Sequence, residues 1–252
     1  MKYIIFIKSL YFYIKNSFIS LFSFLIIKFI PQKNIFKIIH SLKNKKVLVL
    51  GTGPSLNKLN QDLINNYEVI IFLNYAISVE KIFNFNNKKK IFFFGDLFRY
   101  KEIKKDHFFD KEYIYIFIPI HLQFFFTLIS LYFKKNLFFL TPKYRIGSLF
   151  EKNVTKSIIT YVLAQNDDTK KNLDVNNFRI FPHSGALSAF YFLISCNVNQ
   201  VHYLGCDFST GQSIFTKYKS SSFSKKKIYL WINKFKKLSK IYSVDFKDLN
   251  NG

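Results

Sequence analysis

Four consecutive apolar residues, Val47–Leu50, run into Gly51-Thr52-Gly53-Pro54-Ser55-Leu56, and few folds accommodate that join. Four apolar residues bounded by glycine are too short for a helix and suit the first, fully buried strand of a parallel sheet. Gly51 and Gly53 permit a tight turn and close backbone approach. Pro54 fits the first turn of a following helix, where its missing N–H costs nothing. The expectation is a helix N-terminus with free N–H groups at a strand's carboxyl end, a place that suits phosphate. The same residues also describe a tight strand-to-helix turn without a ligand.

What the motif lacks narrows the ligand. No Gly-Lys-Ser/Thr follows, so it is not a Walker A loop. Leu56 stands where a dinucleotide fingerprint has its third glycine, and the next strand, expected over Glu68–Leu73, ends in Asn74 instead of an acid for the ribose. NAD is disfavoured; a mononucleotide or a nucleotide-sugar remains.

With 252 residues the chain can bury one principal core. Its formal net charge of +23 invites a nucleic-acid reading, yet the 38 basic residues include only three arginines, Arg99, Arg145 and Arg179. Arginine is the usual reader of bases and the bidentate partner of phosphate, so specific nucleic-acid binding is not expected. A diffuse lysine field fits an anionic membrane surface or anionic substrates better. Cys196 and Cys206 form no CxxC pair, and the five histidines show no metal-ligand spacing. No metal site is expected; the Asp106-His107…Asp110 and Asp167-Asp168 groups read as solvated loops.

Residues 1–46 carry nine lysines and no acid. Only twelve uncharged residues separate Lys15 from Lys28, against the ~20 that a membrane-spanning helix needs. The interleaved aromatic, aliphatic and lysine residues predict an interfacial helix over 3–30, stopped by Pro31, with a short second helix over 34–42. A helical extension packed on the domain is the alternative. Residues 1–44 are thus a basic, aromatic extension serving as a membrane-surface anchor, and 45–252 an α/β domain.

From Lys45 onward apolar runs alternate with helical patterns, which predicts a Rossmann-like parallel sheet with helices on both faces. Further strands are expected at Lys90–Gly95, Tyr113–Ile118, Phe138–Leu140 and Val201–Leu204, with a last one within Ile241–Phe246. Helices are expected at 78–85, 122–133, 151–164, 186–195 and 225–240. Residues 113–133 contain no Asp, Glu, Lys or Arg and are long enough to span a membrane. Pro119 divides them, so a strand and a helix are expected there, with a membrane span as the alternative. Asp96 follows the third strand, where open α/β sheets bind ligands. Ser184 is a natural N-cap, and Gly185 lets a ligand approach a second helix N-terminus. The polar stretch 209–224 is a lid candidate.

The ordered set of Gly51-Thr52-Gly53-Pro54-Ser55-Leu56, Asn74 closing the second strand, Ser184-Gly185 and Tyr203-Leu204-Gly205-Cys206-Asp207-Phe208 resembles the bacterial sialyltransferases of glycosyltransferase family 42, as a divergent member. The scaffold is also similar to flagellin-modifying motility accessory factors and pterin pyrophosphokinase-like proteins. The resemblance spans about 45–248. It implies inverting transfer of a sialic or related nonulosonic acid from a CMP-sugar to a glycan or glycolipid acceptor in lipopolysaccharide or other cell-surface glycan synthesis. It implies that Gly51, Thr52, Gly53, Pro54 and Ser55 cradle the nucleotide, that Asn74 faces it or its sugar, and that Ser184 and Gly185 contact its cytidine side. Asp207 would close the pocket. Thr52 and Asp96 each stand where the family usually has Asn.

Such chemistry has no obligatory cofactor; the CMP-sugar is the substrate, and the site must steady the leaving phosphate and supply a base. The family's lid histidine is missing, since no histidine follows His202. His183 is the candidate base and Tyr218 the candidate phosphate partner. The alternatives are a catalytically silent nucleotide-binding protein and a pyrophosphokinase-like enzyme. The expected location is cytoplasmic, peripheral on the inner membrane face, and a homo-oligomer is compatible with all of this.

Overall fold

The computed structural model describes residues 36–94, 114–117, 137–139, 185–208, 211, 213–215 and 225–250. Seven strands are β1 (Lys46–Leu50), β2 (Val69–Leu73), β3 (Lys89–Phe94), β4 (Ile114–Phe117), β5 (Leu137–Phe139), β6 (Gln200–Leu204) and β7 (Asp245–Asp248). Every pairing is parallel, in the order β5-β4-β3-β2-β1-β6-β7. Helices cover both faces, so the fold is Rossmann-like α/β.

β1 is central because its residues suit burial on both sides. Val47 and Val49 face one layer, together with Val69, Ile71, Val201 and Tyr203. That layer is built by α1 (Phe36–Leu42), α3 (Gly185–Ser195) and α4 (Lys225–Ile241), through Ile38, Leu42, Phe190, Trp231 and Phe235 among others. Leu48 and Leu50 face the opposite layer with Ile70, Phe72 and Leu204. There the cover is α2 (Gln61–Asn65) and two 3-10 helices, Pro54–Lys58 and Asn74–Lys81. A strand covered on both faces needs apolar residues at every position, which is why Val47–Leu50 does not alternate.

Three expectations change. A 3-10 helix of five residues, then the five-residue α2, follow Gly53 in place of one continuous helix. Asn60 caps α2 by accepting the Leu63 N–H at 2.8 Å, so the chain restarts at Asn60. Likewise the helix expected over 78–85 is a 3-10 helix that begins directly at Asn74. β7 lies later than expected, because the last turn of α4 extends through Ile241. The interfacial helix over 3–30, the stretch 122–133 and the helix over 151–164 lie outside the described residues. Among the described residues, no helix is long and apolar enough to cross a membrane.

Candidate functional site

Strand order reverses between β1 and β6: from β1 the chain builds outward through β2 to β5 on one side, then returns to add β6 and β7 on the other. Such a switch point opens a crevice at the strands' carboxyl ends. Leu50 pairs with Leu204 and with Phe72, so the loops after β1, β6 and β2 emerge side by side there. α3 adds a fourth part. It ends at Ser195, and its following turn bonds Asn44 and Lys45 at the amino edge, through Asn44 N–H to Asn197 O and Asn199 N–H to Lys45 O. Its first residue, Gly185, therefore lies at the carboxyl edge.

The loops after β1 and β6 are interlocked. Gly51 donates its N–H to Leu204 O at 2.8 Å, and Gly53 donates to Gly205 O at 2.7 Å. Gly205 N–H donates to Ser55 Oγ at 2.7 Å, and Ser55 N–H donates to Asp207 Oδ2 at 2.9 Å. A Cβ on Gly51 would come within 2.2 Å of Gly205 O, and one on Gly53 within 2.2 Å of Asp207 Oδ2. Gly205 adopts φ +70°, and a Cβ there would meet Gly51 O at 2.4 Å. The glycines of this loop are thus accounted for by loop-on-loop packing.

This fixes what each predicted residue offers. Asp207 takes the place at the Ser55 N–H that a phosphate oxygen would otherwise hold. The Ser55 hydroxyl is buried and engaged, Pro54 has no N–H, and Leu56 N–H returns to Gly53 O. Among the described residues, the Thr52 N–H is the donor of residues 51–56 left without a partner, while Thr52 O accepts from Ser213 N–H. Asp248 stands near Asp207; burial first, then Asp207, raise its carboxyl above the usual range. A corner holding two carboxylates repels an anion, so a phosphate is better placed towards α3.

There the described residues leave room. Among them, the nearest atom to a Cβ built on Gly185 is Asn74 Nδ2, 3.9 Å away. The Gly185 and Ala186 N–H groups have no acceptor within the helix, and the helix dipole favours negative charge in front of them. Asn74 holds a left-handed backbone, φ +50°, a region that asparagine tolerates. Its Oδ1 is buried with no hydrogen-bond partner among the described residues. An orphaned acceptor beside a helix N-terminus fits a ligand carrying both a hydroxyl or amino donor and an anionic group.

Part of the segment read as a lid is tied down. Ser213 Oγ donates to Asn57 Oδ1 at 2.8 Å, and Ile214 N–H donates to the same oxygen at 2.9 Å. Phe215 O accepts from Ser78 Oγ at 2.8 Å, and its ring stands edge-on to Phe83. Gly211 rests on Pro54, whose ring leaves no room for a Cβ. Sequence reasoning missed Asn57 and Ser78 in this role, and nothing local to them signals it. Asp96, His183, Ser184 and Tyr218 lie outside the described residues. His202 is held away from the edge: Tyr67 Oη and Asp245 Oδ2 each lie 2.7 Å from one of its ring nitrogens. Burial and neighbouring carboxylates push the Cys206 thiol well up, so it is no nucleophile. No group of three or more potential metal ligands occurs among the described residues.

An all-parallel sheet with helices on both faces and polar groups gathered at its switch point defines this chain as a Rossmann-like α/β protein. Comparison with protein-family models finds no match for it, and comparison with curated proteins finds none either.

Proposed function

We propose that the chain binds a CMP-activated sugar at the carboxyl edge of β1, β2 and β6 and transfers its nonulosonic acid to a glycan or glycolipid hydroxyl. The observation that carries this reading is the unpartnered Asn74 Oδ1 beside the first turn of α3. A sugar or ribose hydroxyl, or a cytosine amine, satisfies that oxygen. The phosphate meets the Gly185 and Ala186 N–H groups, and the Thr52 N–H adds a further donor. Gly51, Gly53, Ser55 and Asp207 hold the turn in shape more than they touch the nucleotide. Ser184 would flank the phosphate, Asp96 would border the sugar, and Tyr218 would steady the leaving group.

CMP is a good leaving group once its charge is balanced, so the protein's task is electrostatic stabilisation and deprotonation of the acceptor. His183, two residues before Gly185, is the proposed base. A helix N-terminus disfavours imidazolium, which leaves a neutral ring able to take a proton. Peripheral attachment to an anionic membrane through residues 1–44 would keep a glycolipid acceptor close. A nucleotide-binding protein without turnover is the second reading. It is favoured by the engagement of most of the 51–56 donors within the chain.

The test is a thermal-shift panel of CMP, ATP and NAD, followed by turnover of CMP-sialic acid. CMP at 100 times its dissociation constant is expected to add roughly 2.7 kcal/mol. A shift with ATP and none with CMP rules out the transferase reading. His183→Ala is expected to lower turnover about 10² to 10⁴-fold with the CMP shift retained. Binding of CMP without any turnover by the unaltered chain selects the second reading.

A further inference from the structure

α4 packs on α3 and β7 through Ile228, Trp231, Phe235 and Leu238, which recur at helical spacing and are buried. Its opposite face is unusual in composition. Five large apolar side chains are well exposed among the described residues, and three belong to α4: Tyr229 at 67%, Leu230 at 42% and Ile241 at 74%. Lys236, Lys237 and Lys240 share that outward face and are exposed. From Lys225 to Val244 the sequence holds seven lysines and no acid. Among the described residues, Lys236 acts on the carboxylate of Asp248, on β7. Among the described residues, neither Lys237 nor Lys240 has an ion-pair partner.

We propose that the outer face of α4 is a contact surface for an anionic lipid bilayer. A bilayer interface accepts both features together: lysines pair with lipid phosphates while Tyr229, Leu230 and Ile241 enter the headgroup boundary. A nucleic acid satisfies the lysines alone and gives Leu230 and Ile241 nothing to bury. The chain's arginines, 99, 145 and 179, all lie outside this helix. The surface extends the peripheral-membrane part of the proposed function. It adds a folded contact to the basic N-terminal segment and is independent of the transferase chemistry.

The experiment is cosedimentation of the full chain with vesicles of phosphatidylcholine alone, and of phosphatidylcholine with one-third phosphatidylglycerol. The unaltered chain is expected to bind only the anionic vesicles. Lys236→Glu/Lys237→Glu/Lys240→Glu is expected to weaken binding about tenfold or more, each lysine near the surface contributing substantially. Lys237→Glu/Lys240→Glu spares the Lys236–Asp248 neighbourhood and is expected to show most of the same loss. Leu230→Ser/Ile241→Ser is expected to weaken binding several-fold, most visibly at high salt, where the lysine contribution is screened. Melting temperature and any CMP shift should hold in the Lys237→Glu/Lys240→Glu and Leu230→Ser/Ile241→Ser variants.

Binding by the unaltered chain that these variants leave unchanged overturns the α4 surface and assigns attachment to the N-terminal segment. No binding to anionic vesicles overturns both contacts, with the CMP result unaffected. Equal binding to a duplex oligonucleotide, with no effect of the apolar pair on vesicles, reduces the face to a general polyanion binder and overturns the lipid assignment.

Discussion

Gly53 and Gly185 belong to different problems. Gly53 leaves no room: a side chain there collides with Asp207, which is itself held by the Ser55 N–H. Gly53→Ala is therefore expected to destabilise the fold by about 1–3 kcal/mol, the usual cost of overpacking. Gly185 opens a helix, and among the described residues its Cβ position meets the Asn74 amide at ordinary contact distance. Gly185→Ala is expected to change stability by less than about 1 kcal/mol, in line with helix propensities, while reducing the melting shift given by CMP. Chemical denaturation of both variants, with and without CMP, checks the pair. A Gly185→Ala protein with an undiminished CMP shift would remove the α3 N-terminus from the site. The sequence placed Gly53 in the turn after β1 and Gly185 at the start of a helix but could not tell apart what each must accommodate. That distinction depends on which backbone lies opposite, and Gly205 is far along the chain.

At the scale of elements, β6 and β7 are joined across their amino halves by polar side chains. Burial, with the Asp245 carboxylate nearby, pushes the Tyr67 phenol up to about 12 from 10.0. Tyr67 therefore keeps its proton, and the tautomer of His202 that donates from Nε2 to Asp245 has Nδ1 accepting from the Tyr67 hydroxyl. The folded chain holds the phenolic proton where the unfolded chain has released it, so stability falls as pH rises from about 10 through about 12. Tyr67→Phe is expected to make that alkaline decline in melting temperature shallower; Tyr203, also raised by burial, accounts for part of what remains. Equal slopes would show that Tyr67 is not responsible.

The strands were the legible elements. The runs Val47–Leu50 and Val201–Leu204 matched observed strands to within a residue; in β1 burial on both faces leaves an unbroken apolar signature, while in β6 His202 interrupts it and faces polar partners. β7 was harder: Asp-Phe-Lys-Asp alternates with solvent at the sheet's edge, and of the apolar residues ahead of it Ile241 ends α4 while Tyr242 and Val244 lie in the connecting turn. The 3-10 helices were misread because a run this short carries too few turns to fix a period.

For the whole molecule, charge is the dominant fact. A net charge of +23 is self-repulsive, and the few acids are used locally, as in Lys45–Glu68 at 2.5 Å and Lys90–Glu80 at 2.9 Å. Raising salt from low to moderate concentration is expected to raise the melting temperature by a few degrees, since it screens repulsion more than it weakens the less exposed Lys90–Glu80 pair. A melting temperature that falls with salt would mean attractive pairs prevail. The meeting of the loops after β1, β2 and β6 at one edge was legible. Which donors stay open was not, because Asp207 closes on Ser55 only in three dimensions.

The interlock between β1 and β6 also sets an order of events during synthesis. β1 is an interior strand of the sheet, yet the strand that covers one of its two edges begins about 150 residues later, Lys46 pairing with Gln200. A ribosome adding about 5–20 residues per second leaves that edge without its partner for roughly 8–30 s. Throughout that interval Val-Leu-Val-Leu is an unfinished seam, apolar and ready to pair with any other strand. The last quarter of the chain therefore does more than complete a crevice. It ends the period in which a nascent molecule and its neighbours on the same message can join by mistake.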